Sequence, residues 1–144
     1  MDERIRKALW TEFAREPLAQ TLGLELAELG EGYAAVTMTY DPAQMANIFG
    51  RAHGGALFAL VDGAFEAAGQ TDGTVAVALN VNVTYVASPD DGARLRAEAR
   101  RVSQTKRTAS YDIRVTDGEG RLLATCSALA YRTGKPLPFL AQPQ

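Results

Sequence analysis

The chain has 144 residues, of which 47% are hydrophobic, 22% charged and 8% aromatic, an ordinary composition for one globular domain and unlike that of a disordered chain. One cysteine, Cys126, and one histidine, His53, exclude an intrachain disulfide and a His-rich metal cluster, so neither a zinc centre nor any other metal site is expected. With 15 basic residues against 17 acidic ones and a formal charge of −2, no broad attraction to nucleic acid or to an anionic membrane is expected, and any anion site must be local. Met1 to Trp10 carries Asp2, Glu3, Arg4, Arg6 and Lys7 where a secretory leader needs an apolar run, and no apolar run of about 18 residues follows, so a cytoplasmic, membrane-free chain is expected.

In chain order, residues 3–21 space Ile5, Leu9 and Phe13 four apart between charged positions, the apolar stripe of an amphipathic helix that Pro17 bends or ends. Leu24 to Leu29 and Tyr33 to Tyr40, on either side of Gly30-Glu31-Gly32, read as a hairpin. Asp41 to His53 has no clear period and reads as a packed loop. Beyond Gly54-Gly55, the segment Ala56 to Gln70 is apolar at nearly every turn of a helix, and a helix apolar on all sides is buried. Only Asp62 and Glu66 interrupt it with charge, about 40° apart on one flank. Val75, Val77, Leu79, Val81, Val83 and Tyr85 then alternate with smaller or polar residues as one long strand. Three more strands, near 93–102, 107–116 and 121–131, complete an antiparallel meander, and the tail is expected to be loosely held. The organisation expected is an N-terminal helix over 1–21, one α+β domain over 22–132 with a curved antiparallel sheet wrapped round a buried helix, and a flexible tail over 133–144. Such a sheet leaves an edge and a face in need of cover, which a homodimer or larger assembly supplies.

The chain has no phosphate-binding P-loop, no dinucleotide fingerprint, no Ser-hydrolase elbow and no H-E-x-x-H. What it does have is a pair of glycines at a helix start, where bare N–H groups and the helix dipole can hold a developing oxyanion. Alternatively, the glycines simply allow a tight entry that His53 caps or packs against. Asp62 sharpens the question, because a carboxylate on a buried apolar helix costs several kcal/mol unless it is paired or opens onto a cleft. Gly55 and Asp62 lie about 10.5 Å apart along one helix, too far to act on one carbonyl group. If both are catalytic, they act from two chains, with the helices packed antiparallel across a twofold axis. Glu66 shares the flank, but its longer stem reaches water more easily, which makes it the weaker base candidate. Asn47 either orients a water or carboxylate, or caps its own loop. Arg94, Arg96, Arg100, Arg101, Lys106 and Arg107 stand against a single acid, Glu98; they form a solvated outer face or a site for a phosphate-bearing group such as the nucleotide end of coenzyme A.

The pattern Asn47-x5-His53-Gly54-Gly55-x2-Phe58-x3-Asp62-x2-Phe65, with the strand Val75 to Tyr85 and the turn Gln104 to Ala109, resembles the hotdog-fold acyl-CoA thioesterases of the phenylacetyl-CoA (PaaI) type over about residues 20–132. The resemblance implies a hotdog fold, dimers paired into homotetramers, and a site between protomers that needs no cofactor beyond the coenzyme A of the substrate. It implies that Gly55 supplies the oxyanion amide, that Asn47, His53 and the adjoining Gly54 shape the site, and that Asp62 is the catalytic carboxylate, activating water or attacking directly. It also implies that Lys106 and Arg107 meet the coenzyme A phosphates. Phe49, Phe58 and Phe65 suggest an apolar slot for an aryl or medium-chain acyl group. The chain departs from the pattern at Gly63, where relatives often carry Thr or Ser, at Gln70, where they often carry Asn, and at Ala78, where some carry Ser. Two rival readings are a hotdog dehydratase, which would use a different local His motif, and a non-catalytic acyl-CoA sensor, although no DNA-binding helix pair precedes residue 20.

Overall fold

The structure is a computed structural model that describes residues 1–140. Asp2 caps the first helix, α1 (Glu3–Arg15), by accepting the Arg4 N–H at 2.7 Å, and the helix buries Ala8, Leu9 and Phe13. Pro17 ends it: Glu16, immediately before the proline, is extended, and Pro17 takes the first position of a separate helix, α2 (Pro17–Leu22). Gly23, at φ 68°, stops α2 in the left-handed conformation that glycine adopts most readily. The hairpin follows as β1 (Glu25–Gly30) and β2 (Tyr33–Thr39). The segment expected to be a plain loop contains a short helix, α3 (Pro42–Met45), and a bridge between Ala46 and Ala52, so it is more ordered than its lack of period suggests.

The central helix α4 runs Gly54–Gly69 and is followed by β3 (Thr74–Tyr85), β4 (Arg94–Gln104), β5 (Thr108–Thr116) and β6 (Leu122–Pro136). The strands form one antiparallel sheet in the order β1-β2-β4-β5-β6-β3. The meander is therefore confined to β4, β5 and β6. The strand β3 pairs with β6 and occupies the far edge, because the segment Val86–Ala93 carries the chain back across the sheet to lay β4 against β2. The tail also differs from expectation: residues 133–136 extend β6, with Pro136 opposite Thr74, and Leu137 is buried beneath the 3-10 turn Pro138–Leu140. The remainder of the expected tail, 141–144, lies outside the described residues.

The sheet curls round α4, and many of its inward positions are alanine (Ala34, Ala97, Ala99, Ala124, Ala128), which lets the helix sit close to the strands. Leu60, Val61 and Ala64 of α4 meet Val36, Met38, Leu95 and Ile113 in a single core that also holds Leu9 and Phe13 of α1. The helix is not covered on every side, however. Gly55, Phe58 and Glu66 are exposed and Asp62 is half-buried, so one stripe of α4 lies open in the single chain. Strand β3, at the sheet edge, exposes Val77 and Leu79. Among the described residues no helix is long and apolar enough to cross a membrane.

Candidate active site

The N-terminus of α4 is held by three local devices. His53 is the cap residue, and its Nδ1 accepts the Gly55 N–H at 2.8 Å. That nitrogen must then be unprotonated, with the ring proton on Nε2. The Ala56 N–H bonds back to the His53 carbonyl at 3.0 Å. Tyr85, at the end of β3, donates its hydroxyl to the Gly54 carbonyl at 2.8 Å. The amide expected to face a substrate, that of Gly55, is thus committed to His53, and the first amide of the helix, Gly54 N–H, has no acceptor among the described residues. The available donor is one residue earlier than the sequence argument placed it.

Asn47 folds its own loop: its Oδ1 accepts the N–H groups of Phe49 and Arg51 at 2.9 and 3.1 Å. This leaves the Asn47 amide nitrogen free to donate. Asn47 and Gly54 line one cavity of about 400 Å³ together with Arg51, Leu57 and Tyr85.

Asp62 faces a different cavity, of about 280 Å³, walled by Phe65, Glu66, Gln70, Ala78 and Ala130. Among the described residues its carboxyl has no hydrogen-bond partner, consistent with an alanine at position 78, and burial lifts its pKa above the ordinary aspartate range. No residue lines both the Asp62 cavity and the Gly54 cavity.

Glu66, one turn beyond, is more perturbed than the sequence suggested. Its carboxyl is pushed up to about 7 by desolvation first, then by the charge and hydrogen bond of Glu16, and last by Asp62. Although open to the adjoining cavities, it sits in a concavity that crowds out much of its water. Glu16 lies between α1 and α2, so no local pattern announces the pair.

The aromatic slot does not assemble within one chain. Phe65 is 3% exposed and packs edge-on to Tyr111 at 5.3 Å between ring centres, which makes it a core wall of the Asp62 cavity. Phe58 lies on the open stripe of α4, and Phe49, 79% exposed, stands at a loop tip beside Ile48; neither lines the Asp62 cavity.

The arginine cluster divides in two. Arg94 pairs with Glu25 and Arg96 with Glu28, each at 2.8 Å, while Arg100 lies near Glu98 and over the Tyr33 ring at 4.4 Å. These groups form a charge-paired outer face, and the phosphate reading does not extend to them. Among the described residues, the side chains of Lys106 and Arg107, at the exposed β4–β5 turn, have no partner. A residue the sequence reading passed over braces that turn: Arg132 donates to the Thr105 carbonyl at 2.7 Å and to the Lys106 carbonyl at 3.4 Å, and is ion-paired to Asp72. Asp72 sits just past the C-terminal end of α4, so Lys106 and Arg107 stand at the end of the helix opposite Gly54.

Two further departures have local reasons. Gln70 bonds both the N–H and the carbonyl of Ala76 at 2.9 Å, tying the end of α4 to the edge strand. A side chain at Gly63 would grow toward Leu24 and the Phe13 ring of α1, 3.4 and 3.5 Å from its Cβ.

A long antiparallel sheet curled round one central helix, with bare amides at the helix start and a carboxylate two turns on, defines a hotdog-fold thioesterase. Residues 49–124 match the family model described as the thioesterase superfamily. The chain belongs to that superfamily and is a thioester hydrolase of the PaaI type. Acyl-coenzyme A thioesterase PaaI of Escherichia coli is 34% identical over 122 residues, spanning 85% of this chain and 86% of that protein. The structure of the E. coli PaaI protein from the phenylacetic acid degradation operon superposes with a TM-score of 0.87 at 30% identity, over 93% of this chain and 96% of the other. The structure of smu.793 from Streptococcus mutans, bound to acetyl-CoA, superposes with a TM-score of 0.75 at 26% identity, over 79% of this chain and 91% of the other.

Proposed function

We propose that the chain hydrolyses an aryl- or medium-chain acyl-CoA, phenylacetyl-CoA-like in size, to the free acid and coenzyme A, in a site shared between two copies. The observation that carries this reading is the separation of the two half-sites: within one chain the Gly54 amide and the Asp62 carboxylate open onto different cavities, about 12 Å apart along one helix. A second copy with its α4 antiparallel to the first would bring Asp62 of the partner subunit opposite Gly54. It would also cover the open stripe of α4 and the exposed edge strand.

In that assembly the Gly54 N–H and the Asn47 side-chain amide polarise the thioester carbonyl, with the positive end of the helix dipole behind them. Asp62 of the partner subunit takes a proton from water as the water oxygen bonds to the carbonyl carbon. The tetrahedral intermediate then expels the coenzyme A thiolate, which receives that proton. A raised pKa suits this role, since a base works best when its pKa approaches the operating pH. The name of the E. coli relative and the acetyl-CoA held by the S. mutans neighbour support coenzyme A as the carrier. The test is release of free thiol from a panel of aryl and alkyl acyl-CoAs; turnover of none of them would remove the reading.

A further inference from the structure

A cavity of about 520 Å³, larger than those at Asp62 and Gly54, lies under α1 and the C-terminal turn. Its floor is apolar, with Leu9, Phe13, Val75 and Phe139. It adjoins the Asp62 cavity, because Glu66, Gln70 and Ala76 stand in the walls of both. An acyl group attached at the Asp62 end and longer than that cavity has this space as its continuation.

Of the residues that stand in both walls, only Glu66 is charged. Glu66 projects from α4 into the larger cavity, whose wall also holds Glu16, and the charge of Glu16 acts on it. The other charged groups in the wall, Glu12 and Arg15 of α1, pair with each other at 3.2 Å. Asp62 adds negative charge from one turn away on α4, whereas β3 and the C-terminal turn bring only Val75, Ala76, Leu137, Pro138 and Phe139. Any group passing Glu66 therefore meets two acids, Glu66 and Glu16, that the Glu12–Arg15 pair leaves uncompensated, beside an apolar floor. Resting on the acyl-CoA reading above, we infer that the far end of the acyl group runs past Glu66 into the cavity under α1, and that Glu16 and Glu66 make the enzyme select acyl groups with a neutral end against those ending in a carboxylate. A terminal carboxylate would have to shed water beside a like charge, a double cost that a methyl or phenyl end does not incur.

The experiment compares kcat/KM for octanoyl-CoA with that for the CoA thioester of octanedioic acid, two substrates of equal carbon count that differ only at the far end. The wild type should favour octanoyl-CoA by at least about tenfold at pH 8. The preference should shrink toward pH 6, where Glu66 keeps its proton while the substrate carboxylate stays ionised. In a Glu16→Gln/Glu66→Gln chain the ratio should fall several-fold and lose its pH dependence. A wild-type ratio near one, or one that does not change between pH 6 and 8, overturns the inference without any variant. An unchanged ratio in a folded double variant does the same. Absence of thiol release from these substrates and from phenylacetyl-CoA removes the thioesterase reading and this inference together, whereas release with an unselective ratio removes only this one.

Discussion

The imidazole Nδ1 of His53 accepts the Gly55 N–H at 2.8 Å, which leaves Gly54 as the first open amide of the central helix. One hydrogen bond thereby separates two parts: His53 holds the helix start, and the proposed contact with the thioester carbonyl falls to Gly54. His53→Ala should cost about 1 kcal/mol of stability, the usual worth of a lost cap, and His53→Asn should restore most of it, as read by urea denaturation. Equal stability of all three proteins would show that the bond is not formed in solution.

Asp62 must be ionised to take a proton, and burial raises its pKa. As pH falls, kcat/KM should therefore decline at a higher pH than an ordinary aspartate would impose. Asp62→Asn should lower kcat by about 10²–10⁴-fold with little change in substrate binding. An acid limb at the ordinary aspartate position, or wild-type turnover in Asp62→Asn, would contradict the role.

Gly63 sits where α4 meets Phe13 and Leu24. An alanine Cβ there makes ordinary contacts, so Gly63→Ala should be neutral or stabilising by up to about 1 kcal/mol through helix propensity. Gly63→Thr should destabilise this chain by about 1–3 kcal/mol through overpacking. Thermal melts decide it, and a Thr variant as stable as the Ala variant would mean that α1 is not seated against α4.

The parts of the fold legible in the sequence were those written in local periodicity. The apolar run after Gly54 marks α4, the alternation from Val75 marks β3, and an isolated carboxylate on an apolar helix singles out Asp62. Strand order was not legible, because a period of two says which face is inward and nothing about which neighbour it pairs with; only the folded sheet puts β3 beyond β6, at the far edge. Partners distant in the chain were equally hidden. Glu25 and Glu28 neutralise Arg94 and Arg96 across strands, and Glu16 reaches Glu66 from another helix. The choice between Gly54 and Gly55 depends on which amide the histidine ring takes, a detail of side-chain geometry that spacing does not encode.

Lys106 and Arg107 stand unpaired on a turn braced by Arg132. Lys106→Ala with Arg107→Ala should raise KM for acyl-CoA, with an effect that shrinks as salt is added. Arg132→Gln, which leaves both of those charges in place, should raise KM by a smaller factor with kcat nearly constant, as expected of a positioning residue. If KM is unmoved at low salt in both proteins, this turn does not meet the substrate phosphates.

The central claim is that one reacting carbon is served by two chains, and subunit mixing tests it most directly. Gly54→Pro removes the open N–H and adds a Cβ about 3.0 Å from the Tyr85 ring; proline suits the first helical position, and His53 before it is already extended. Gly54→Ala, which keeps the N–H, controls for crowding of Tyr85. Gly54→Pro and Asp62→Asn chains, each inactive alone, should on co-refolding at equal ratio recover about a quarter of wild-type activity, because half the dimers are mixed and each mixed dimer rebuilds one intact site. Activity that never exceeds the sum of the separate variants, at any mixing ratio, would contradict the shared site.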